Sequence, residues 1–241
     1  MKIKDCTALV TGANRGIGRA LVIALLEAGA RKVYATAREP KKLPRLQGPQ
    51  AERVAPLALD VTKPEDVEAA ARAAQDVTLL INNAGVLEFG DATQASSTSM
   101  RNVFEANVLG VLEMARSFAP VIEANGGGAI ANVLSVVALA SMPGIAAYSA
   151  SKAAAWSLTQ SQRATLAKKG IALHAIFPGP IDTDMAADFP IQKTSPEDCA
   201  RAIVAALDAG AAEIFPDPMA RQIAEAWAQD PKAVEGQFAA M

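Results

Sequence analysis

Short runs of apolar residues recur along the chain, and longer segments with a helical spacing of apolar residues separate them. Each apolar run is bounded by glycine, proline or polar residues, which is typical of a buried β-strand. The runs predict six strands, at residues 7–12, 32–37, 54–60, 77–85, 128–136 and 171–179.

The segments between these runs repeat apolar residues with the period of an amphipathic helix. They predict helices at residues 15–30, 62–75, 99–122, 149–168 and 194–207. Gly29 is expected to end the first helix. Thr62 and Glu65 are three residues apart and predict a capping box at the start of the second. The last helix, in "TSPEDCARAIVAAL", also begins with a capping pattern.

Strands that are apolar throughout and alternate with helices indicate a parallel sheet that is covered on both faces. No linker, internal repeat or low-complexity segment interrupts this alternation. We therefore predict an α/β fold with a doubly wound parallel sheet in three layers, formed by residues 1–241 as one domain. Its ligand is expected beyond the carboxyl ends of the strands, near the switch in strand order.

The overall composition excludes several classes of protein. The chain has 241 residues, of which 51% are hydrophobic, and its net charge of -2 gives no reason to expect a nucleic-acid partner. No apolar run is long enough to span a membrane, and the run at the start is too short for a signal peptide. Cys6 and Cys199 lie far apart without CxxC spacing, which predicts no disulfide or zinc site and fits a reducing cytoplasm.

The chain has a single histidine, His174. A mechanism that needs a His–Asp pair, or a metal site with two histidines, is therefore not expected, and we predict no metal. His174 lies in the apolar run "IALHAIF", so we expect it to be packed in the core.

Tyr148 and Lys152 are four residues apart in the small-residue segment "AAYSASKAAA" and share one face of a predicted helix. The small neighbours leave this face open to a ligand. A tyrosine usually titrates near about 10, so it needs a nearby positive charge to exchange protons at neutral pH. The alternative is that Tyr148 packs in the core and Lys152 is a solvated surface charge.

The segment "TGANRGIG", residues 11–18, forms the first predicted turn from strand to helix. Its glycines, Gly12, Gly16 and Gly18, allow a tight turn that exposes backbone N–H groups at the start of a helix, where a phosphate binds well. The spacing differs from the usual G-x-G-x-x-G fingerprint, and a purely structural turn is the alternative.

Taken together, these features resemble the short-chain dehydrogenase/reductase family in its single-domain form. The resemblance covers nearly the whole chain, and its motifs follow the family's order. They are "TGANRGIG" at 11–18, "NNAG" at 82–85, Asn107 in "ANVLG", Ser135, "YSASK" at 148–152 and "PGPIDT" at 178–183. The resemblance implies a Rossmann fold and an oxidoreductase that transfers a hydride between a nicotinamide cofactor and a carbonyl or alcohol.

The resemblance also implies roles for individual residues. Tyr148 would be the general acid and base, Lys152 would lower its pKa and bind the nicotinamide ribose, and Ser135 would polarise the substrate oxygen. Asn107 would anchor a water in a proton path, although a structural hydrogen bond is the alternative for this residue. The implied cofactor-binding residues include Tyr148 and Lys152 and also Gly12, Asn14, Arg15, Gly16, Ile17, Gly18, Arg38, Asp60, Val61, Asn83, Ala84, Gly85, Pro178, Gly179, Ile181 and Thr183.

The residues after the second strand predict NADP(H) as the cofactor. An acidic residue at the end of this strand usually binds the ribose hydroxyls of NAD, but Ala37 stands at that place. Arg38 follows it and has a planar donor group that suits a 2′-phosphate, and Arg15 is expected to add a second positive charge. Glu39 is the residue that would weaken this preference.

The expected substrate is a small or medium uncharged ketone or aldehyde, or the matching alcohol. A short lid is predicted at about residues 180–195. Besides Ser135, the predicted substrate-lining residues are Leu87, Phe89, Val137, Met142, Met185 and Phe189. Because these side chains are apolar and basic residues are rare nearby, we do not expect an acyl-carrier or phosphorylated substrate.

Parts of the sequence also match two other functions. A serine hydrolase of the S-x-x-K type is suggested by "SASK", but it requires an S-x-N or Y-x-N element, and no asparagine follows Asn132. A non-catalytic NADP-binding sensor on the same fold remains the alternative. The family resemblance further implies a homo-oligomer, a dimer or tetramer, with the helices at 99–122 and 149–168 at the interface.

Overall fold

The computed structural model describes residues 2–43 and 47–241 and contains a seven-stranded parallel sheet with helices on both faces. The strand order is β3-β2-β1-β4-β5-β6-β7, so the order reverses between β1 and β4. The strands are β1 (Thr7–Val10), β2 (Lys32–Ala37), β3 (Val54–Ala58), β4 (Leu79–Asn82), β5 (Gly128–Val133), β6 (Ile171–Ile176) and β7 (Glu213–Ile214). The predicted doubly wound α/β fold is confirmed; the predicted domain also includes Met1 and residues 44–46, which lie outside the described residues.

Eight α-helices surround this sheet in the described residues. They are α1 (Gly16–Glu27), α2 (Pro64–Ala73), α3 (Ser97–Phe104), α4 (Gly110–Ala124), α5 (Ala146–Ala167), α6 (Pro196–Asp208), α7 (Pro218–Gln229) and α8 (Pro231–Ala239). One apolar core packs α1 and α6 against one face of the sheet, and a second packs α2, α4 and α5 against the other. Strands buried between two helical layers carry apolar residues on both faces, which explains the continuous apolar runs.

The predicted ends of the first and last helices agree with the local structure. Gly29 follows α1 with a φ of 90°, a left-handed conformation that ends the helix, and its N–H donates to Leu26 O. Ser195 caps α6, and its hydroxyl accepts a hydrogen bond from the N–H of Asp198.

The capping box predicted for α2 is wrong. The helix begins at Pro64, and no side chain caps its first turn. The Thr62 hydroxyl instead donates to Asp60 Oδ1 at 2.7 Å, and the same oxygen accepts from the Thr62 N–H at 3.1 Å. Asp60 therefore forms a local turn with Thr62, which competes with the capping geometry.

The predicted helix at 99–122 is present but is not regular. A π-helical turn, Glu105–Leu109, lies between α3 and α4 and contains Asn107. Such a wider turn breaks the regular hydrogen-bond pattern and is often found at functional sites. The helical periodicity of apolar residues gave no sign of this insertion.

The histidine prediction is confirmed. His174 lies on β6 and is 3% exposed, and its Nδ1 atom is 2.6 Å from the carbonyl oxygen of Ala211. Burial lowers the pKa of His174.

Candidate active site

A cleft of about 650 Å³ lies at the carboxyl ends of the strands, where the order of the sheet reverses. Of the site residues predicted from the sequence, only Asn107 and Phe89 are not part of its wall. The cleft brings together Gly12, Asn14, Arg15, Gly16, Ile17, Gly18, Arg38, Asp60, Val61, Asn83, Ala84, Gly85, Leu87, Ser135, Val137, Met142, Tyr148, Lys152, Pro178, Gly179, Ile181, Thr183, Met185 and Phe189.

The glycine turn before α1 has the geometry of an anion site. Gly12 and Gly16 have φ values of 65° and 53°, which other residues rarely adopt. A Cβ atom at Gly18 would lie 2.3 Å from the carbonyl oxygen of Gly12, so only glycine fits there. No side chain caps the first turn of α1 and no acidic residue lies in it. Its N–H groups are therefore free to bind a phosphate, as the diphosphate of a dinucleotide requires.

Positive side chains cluster at one end of the cleft, beyond the end of β2. Arg38 is exposed, and Lys42 also lines the cleft, although its Nζ lies 2.6 Å from Glu39 Oε1. Burial acts to raise the pKa of Asp60, but hydrogen bonds from Thr62 outweigh it and lower the pKa, with a further contribution from Arg38. This end of the cleft fits the adenosine part of a dinucleotide that carries an additional phosphate.

Ser135, Tyr148 and Lys152 meet in the middle of the cleft. Ser135 follows β5, and its hydroxyl accepts a hydrogen bond from Val137 N at 3.3 Å and acts to lower the pKa of Tyr148. Lys152 Nζ lies 5.4 Å from the centre of the Tyr148 ring and donates a hydrogen bond to Val133 O at 2.8 Å. Lys152 is 5% exposed, so the alternative of a solvated surface lysine is wrong.

Burial has the largest effect on the pKa values of Tyr148 and Lys152. Burial raises the pKa of Tyr148 to about 12, against the smaller, opposite effect of the Ser135 hydrogen bond. Burial also lowers the pKa of Lys152 to about 8. Burial thus dominates both pKa values, because both groups lose solvation in the same apolar surroundings. The lowering of the tyrosine pKa by Lys152 together with an oxidised nicotinamide stays a prediction.

Asn107 lies behind the cleft wall, 1% exposed. Its Oδ1 atom accepts a hydrogen bond from Val86 N at 2.9 Å, and its Nδ2 atom donates to Val86 O and to Ser151 Oγ. A Cβ at Gly85 would lie 3.1 Å from Asn107 Oδ1 and 3.6 Å from Lys152 Nζ. The side chain thus holds the loop after β4 beside Lys152. Its predicted role in a proton path stays a prediction.

The predicted lid is a closed loop that spans the cleft. Ile181 and Thr194 pair at its base, and Asp184 near its start forms an ion pair of 2.6 Å with Arg15 of the glycine turn. Arg15 therefore has a partner in the lid in addition to its predicted role toward the cofactor.

The prediction that Phe89 lines the cleft is wrong. Its side chain is 55% exposed on the loop after β4. Its ring packs on the lid residue Phe189, with 5.5 Å between the ring centres. An apolar residue near the motifs was expected to face the substrate, but this ring is largely exposed and contacts the cleft only through Phe189.

Several residues of the cleft were missed by the sequence analysis. Besides Lys42, some of them come from α7 and α8, two helices that were not predicted. Asp217–Pro218 and Asp230–Pro231 each match an N-cap followed by proline, a signal that would have located both helices. The missed lining residues from this region are Met219, Ile223, Phe238 and Met241.

In residues 2–43 and 47–241, no helix combines the length and the apolar character needed to cross a bilayer. The same residues contain no group of three or more His, Cys, Asp or Glu side chains that could hold a metal ion.

Comparison with known proteins agrees with this geometry. The sequence pattern of the family described as short chain dehydrogenase matches residues 6–194. A short chain dehydrogenase from Burkholderia cenocepacia, solved in complex with NADP, is 43% identical, with a TM-score of 0.92 and 99% of each chain covered. The 3-oxoacyl-(acyl-carrier-protein) reductase FabG of Vibrio cholerae is 32% identical over 77% of this chain and 77% of its own. An uncharacterized oxidoreductase of Staphylococcus aureus is 32% identical over 85% of this chain and 92% of its own.

The sequence resemblance is thereby confirmed. The family match covers most of the chain and includes the glycine turn, Ser135, Tyr148 and Lys152, which the fold brings into one cleft. The protein therefore belongs to the short chain dehydrogenase family and is an oxidoreductase of the kind that acts on CH–OH and C=O groups.

Proposed function

We propose that the protein is a carbonyl reductase that uses NADP(H) and reduces small or medium uncharged ketones or aldehydes. One domain would hold both the cofactor and the substrate. The observation that carries this proposal is the position of the Ser135, Tyr148 and Lys152 group, between a positively charged end and an apolar end of the same cleft. The hydride acceptor and donor would meet at this group.

The cofactor assignment is supported by the residues at the positive end. The uncapped first turn of α1 would bind the diphosphate, and Arg38 would bind the 2′-phosphate, with Lys42 beside it. Ala37 at the end of β2 puts no carboxylate at that position, and the carboxylate of Glu39 nearby is paired with Lys42 at 2.6 Å. The similar Burkholderia cenocepacia protein, which was solved with NADP, supports the same choice.

The reaction divides between the cofactor and the side chains. The reduced nicotinamide, when bound, supplies the hydride that adds to the carbonyl carbon. Ser135 would donate a hydrogen bond to the carbonyl oxygen and orient it toward Tyr148. The Tyr148 hydroxyl would give its proton to that oxygen, so that the product is the alcohol.

Lys152 is suited to restoring the tyrosine proton. Its pKa of about 8 means that the ammonium gains and loses a proton near neutral pH. The positive charge of the ammonium beside the Tyr148 ring would also favour the transient tyrosinate. Alcohol oxidation would use the same groups in reverse.

The test is a panel of ketones and aldehydes with NADPH and NADH side by side, on the parent and on Tyr148→Phe. The variant keeps the ring and lacks the hydroxyl, so turnover should fall at least about a hundredfold while NADPH affinity changes little. Tyr34→Phe is the matched control, because Tyr34, the only other tyrosine, donates to Asp76 away from the cleft.

The two variants separate the proposal from its rival. Reduction of ketones by Tyr148→Phe at the parent rate would show that the assigned mechanism is wrong. Tight binding of NADPH without oxidation of the cofactor by any carbonyl would favour the alternative, a non-catalytic NADP-binding sensor.

We also retain a homo-oligomer and a cytoplasmic location as proposals. Leu109, the last residue of the π-helical turn before α4, is 45% exposed, and Ser157 and Ala164 are small exposed residues of α5. Both observations support a subunit interface formed by α4 and α5. Light scattering that gives a monomer at micromolar concentration would remove the interface. The free cysteines Cys6 and Cys199 support a reducing compartment.

A further inference from the structure

The last two helices contribute part of the wall at the end of the cleft beyond Tyr148. Met219 and Ile223 of α7, Phe238 of α8 and Met241 after it line this end. Phe238 is 3% exposed and belongs to the same apolar cluster as Tyr148. These helices therefore lie close to the reacting group, although they are far from it in the chain.

A buried carboxylate fixes this pair of helices to the cofactor side of the cleft. Asp217, 1% exposed, caps α7 by accepting a hydrogen bond from Ala220 N at 2.9 Å. Its second oxygen accepts from Gly179 N at 2.7 Å, in the loop after β6 that also lines the cleft. The wall formed by α7 and α8 is thus a fixed part of the site.

The chemistry of this end differs from that of the other end. The positive side chains Arg15, Arg38 and Lys42 all lie toward the glycine turn and β2. Beyond Tyr148 the lining is apolar, and four of the seven methionines of the chain contribute to it: Met142, Met185, Met219 and Met241. Methionine side chains are flexible and polarisable, so such a lining adapts to apolar groups of different shape.

We propose that α7 and α8 form a hydrocarbon subsite that binds the alkyl chain or ring of a medium-sized ketone or aldehyde, with Phe238 as the wall that limits its length. This inference rests on the proposed carbonyl reductase function and adds the substrate class and the residue that determines specificity. The substrate's carbonyl would lie at Ser135 and Tyr148, and its apolar part would extend toward Phe238.

The experiment uses a homologous series of straight-chain methyl ketones with NADPH. For the parent, kcat/KM should rise about fourfold for each added methylene, since each is removed from water, and should then fall when the chain reaches Phe238. Phe238→Ala should move the optimum to chains longer by about two or more carbons, because it opens space at the end of the subsite.

Val234→Ala is the matched control. Val234 is a buried residue of the same helix and the same apolar cluster, but it does not line the cleft. It should lower stability without moving the optimum. Met219→Phe is a second variant, and its larger side chain should shift the optimum to shorter ketones. It keeps the subsite testable if Phe238→Ala does not fold.

A binding measurement separates this inference from the proposed function. Affinities of the same ketones are measured by calorimetry with NADP⁺ present, where no reduction takes place. Binding that strengthens with chain length and shifts with Phe238→Ala supports the subsite even if no ketone is turned over. Turnover with a flat chain-length profile, or equal shifts for Val234→Ala and Phe238→Ala, would overturn the subsite while the reductase function stands.

Discussion

Replacing Asp217 tests how the C-terminal helices are joined to the cofactor site. This buried carboxylate accepts one hydrogen bond from Ala220 N and one from Gly179 N. A Cβ at Gly179 would lie 2.7 Å from Asp217 Oδ1, so the two backbone segments approach each other closely. Asp217→Ala removes both acceptors, and Asp217→Asn keeps only one oxygen for two N–H groups.

The expected loss of stability follows from these two bonds. Loss of an aspartate N-cap costs about 0.5–2 kcal/mol. An N–H group left without a partner costs roughly 1–3 kcal/mol, toward the low end here because Gly179 is only half-buried. Asp217→Ala should therefore lower the free energy of unfolding by about 2–4 kcal/mol, and Asp217→Asn by about half of that.

Urea denaturation measures the stability, and the KM for NADPH measures the effect on the cofactor site. Because Gly179 lies in the loop that lines the cleft, both Asp217 variants should raise this KM more than they lower kcat. Asp230→Ala is the control. Asp230 caps α8 through Lys232 N and Ala233 N, but it has no bond to that loop. It should cost stability and leave the KM for NADPH unchanged.

Two results would refute this reasoning. If Asp217→Ala changes the free energy of unfolding by less than about 0.5 kcal/mol, as a surface substitution does, the two hydrogen bonds do not contribute as argued. If Asp230→Ala raises the KM for NADPH as much as Asp217→Ala does, the effect comes from general loosening of the helices and not from the contact with Gly179.

Three further predictions concern charged groups of the cleft. Arg38→Ala should reduce the preference for NADPH over NADH in kcat/KM by about ten- to a hundredfold, which corresponds to the loss of one charge-assisted hydrogen bond. Ala37→Asp should shift the preference toward NADH. Lys152→Met should raise the free energy of unfolding at pH 7 by about 1–3 kcal/mol, because the buried ammonium is charged there in both states and its desolvation opposes folding. Between pH 8 and 10.5, Lys152 is protonated in the unfolded chain but largely neutral in the folded protein. The free energy of unfolding of the parent should therefore rise with pH in this range, relative to that of Lys152→Met. Urea denaturation at several pH values measures this difference. Asp184→Asn breaks the ion pair with Arg15 and should speed NADPH release about two- to fivefold in stopped flow, with an effect on stability below about 1 kcal/mol.

Matched controls and contrary outcomes are available for each of these. Arg116→Ala on α4 should leave the ratio of kcat/KM for NADPH to that for NADH unchanged. Equal use of both cofactors by the parent would contradict the role of Arg38 in binding the 2′-phosphate. Lys168→Met, on the exposed end of α5, should show no gain in stability at pH 7. Asp188→Asn is the control for Asp184→Asn, because Asp188 lies in the same lid, and it should leave the rate of NADPH release unchanged. If both variants release NADPH equally fast, the effect does not come from the ion pair with Arg15.

The sequence alone determined the architecture and the position of the site. Continuous apolar runs identified six of the seven strands, because strands covered on both faces must be apolar throughout. The glycine turn and the spacing of Tyr148 and Lys152 were also readable, since turn conformation and a shared helix face depend on residues a few positions apart. β7 contains only two residues and carries no such pattern.

Tertiary structure decided how the site residues behave. The raised pKa of Tyr148, the ion pair between Arg15 and Asp184, and the hydrogen bonds of Asn107 all depend on groups that are distant in the chain. The same is true of Phe238, which reaches the cleft from the last helix. A sequence pattern reports the local conformation and the burial of one face, whereas burial and pairing inside a cleft arise only when separate elements pack against each other, and these contacts set the charge and the shape of the site.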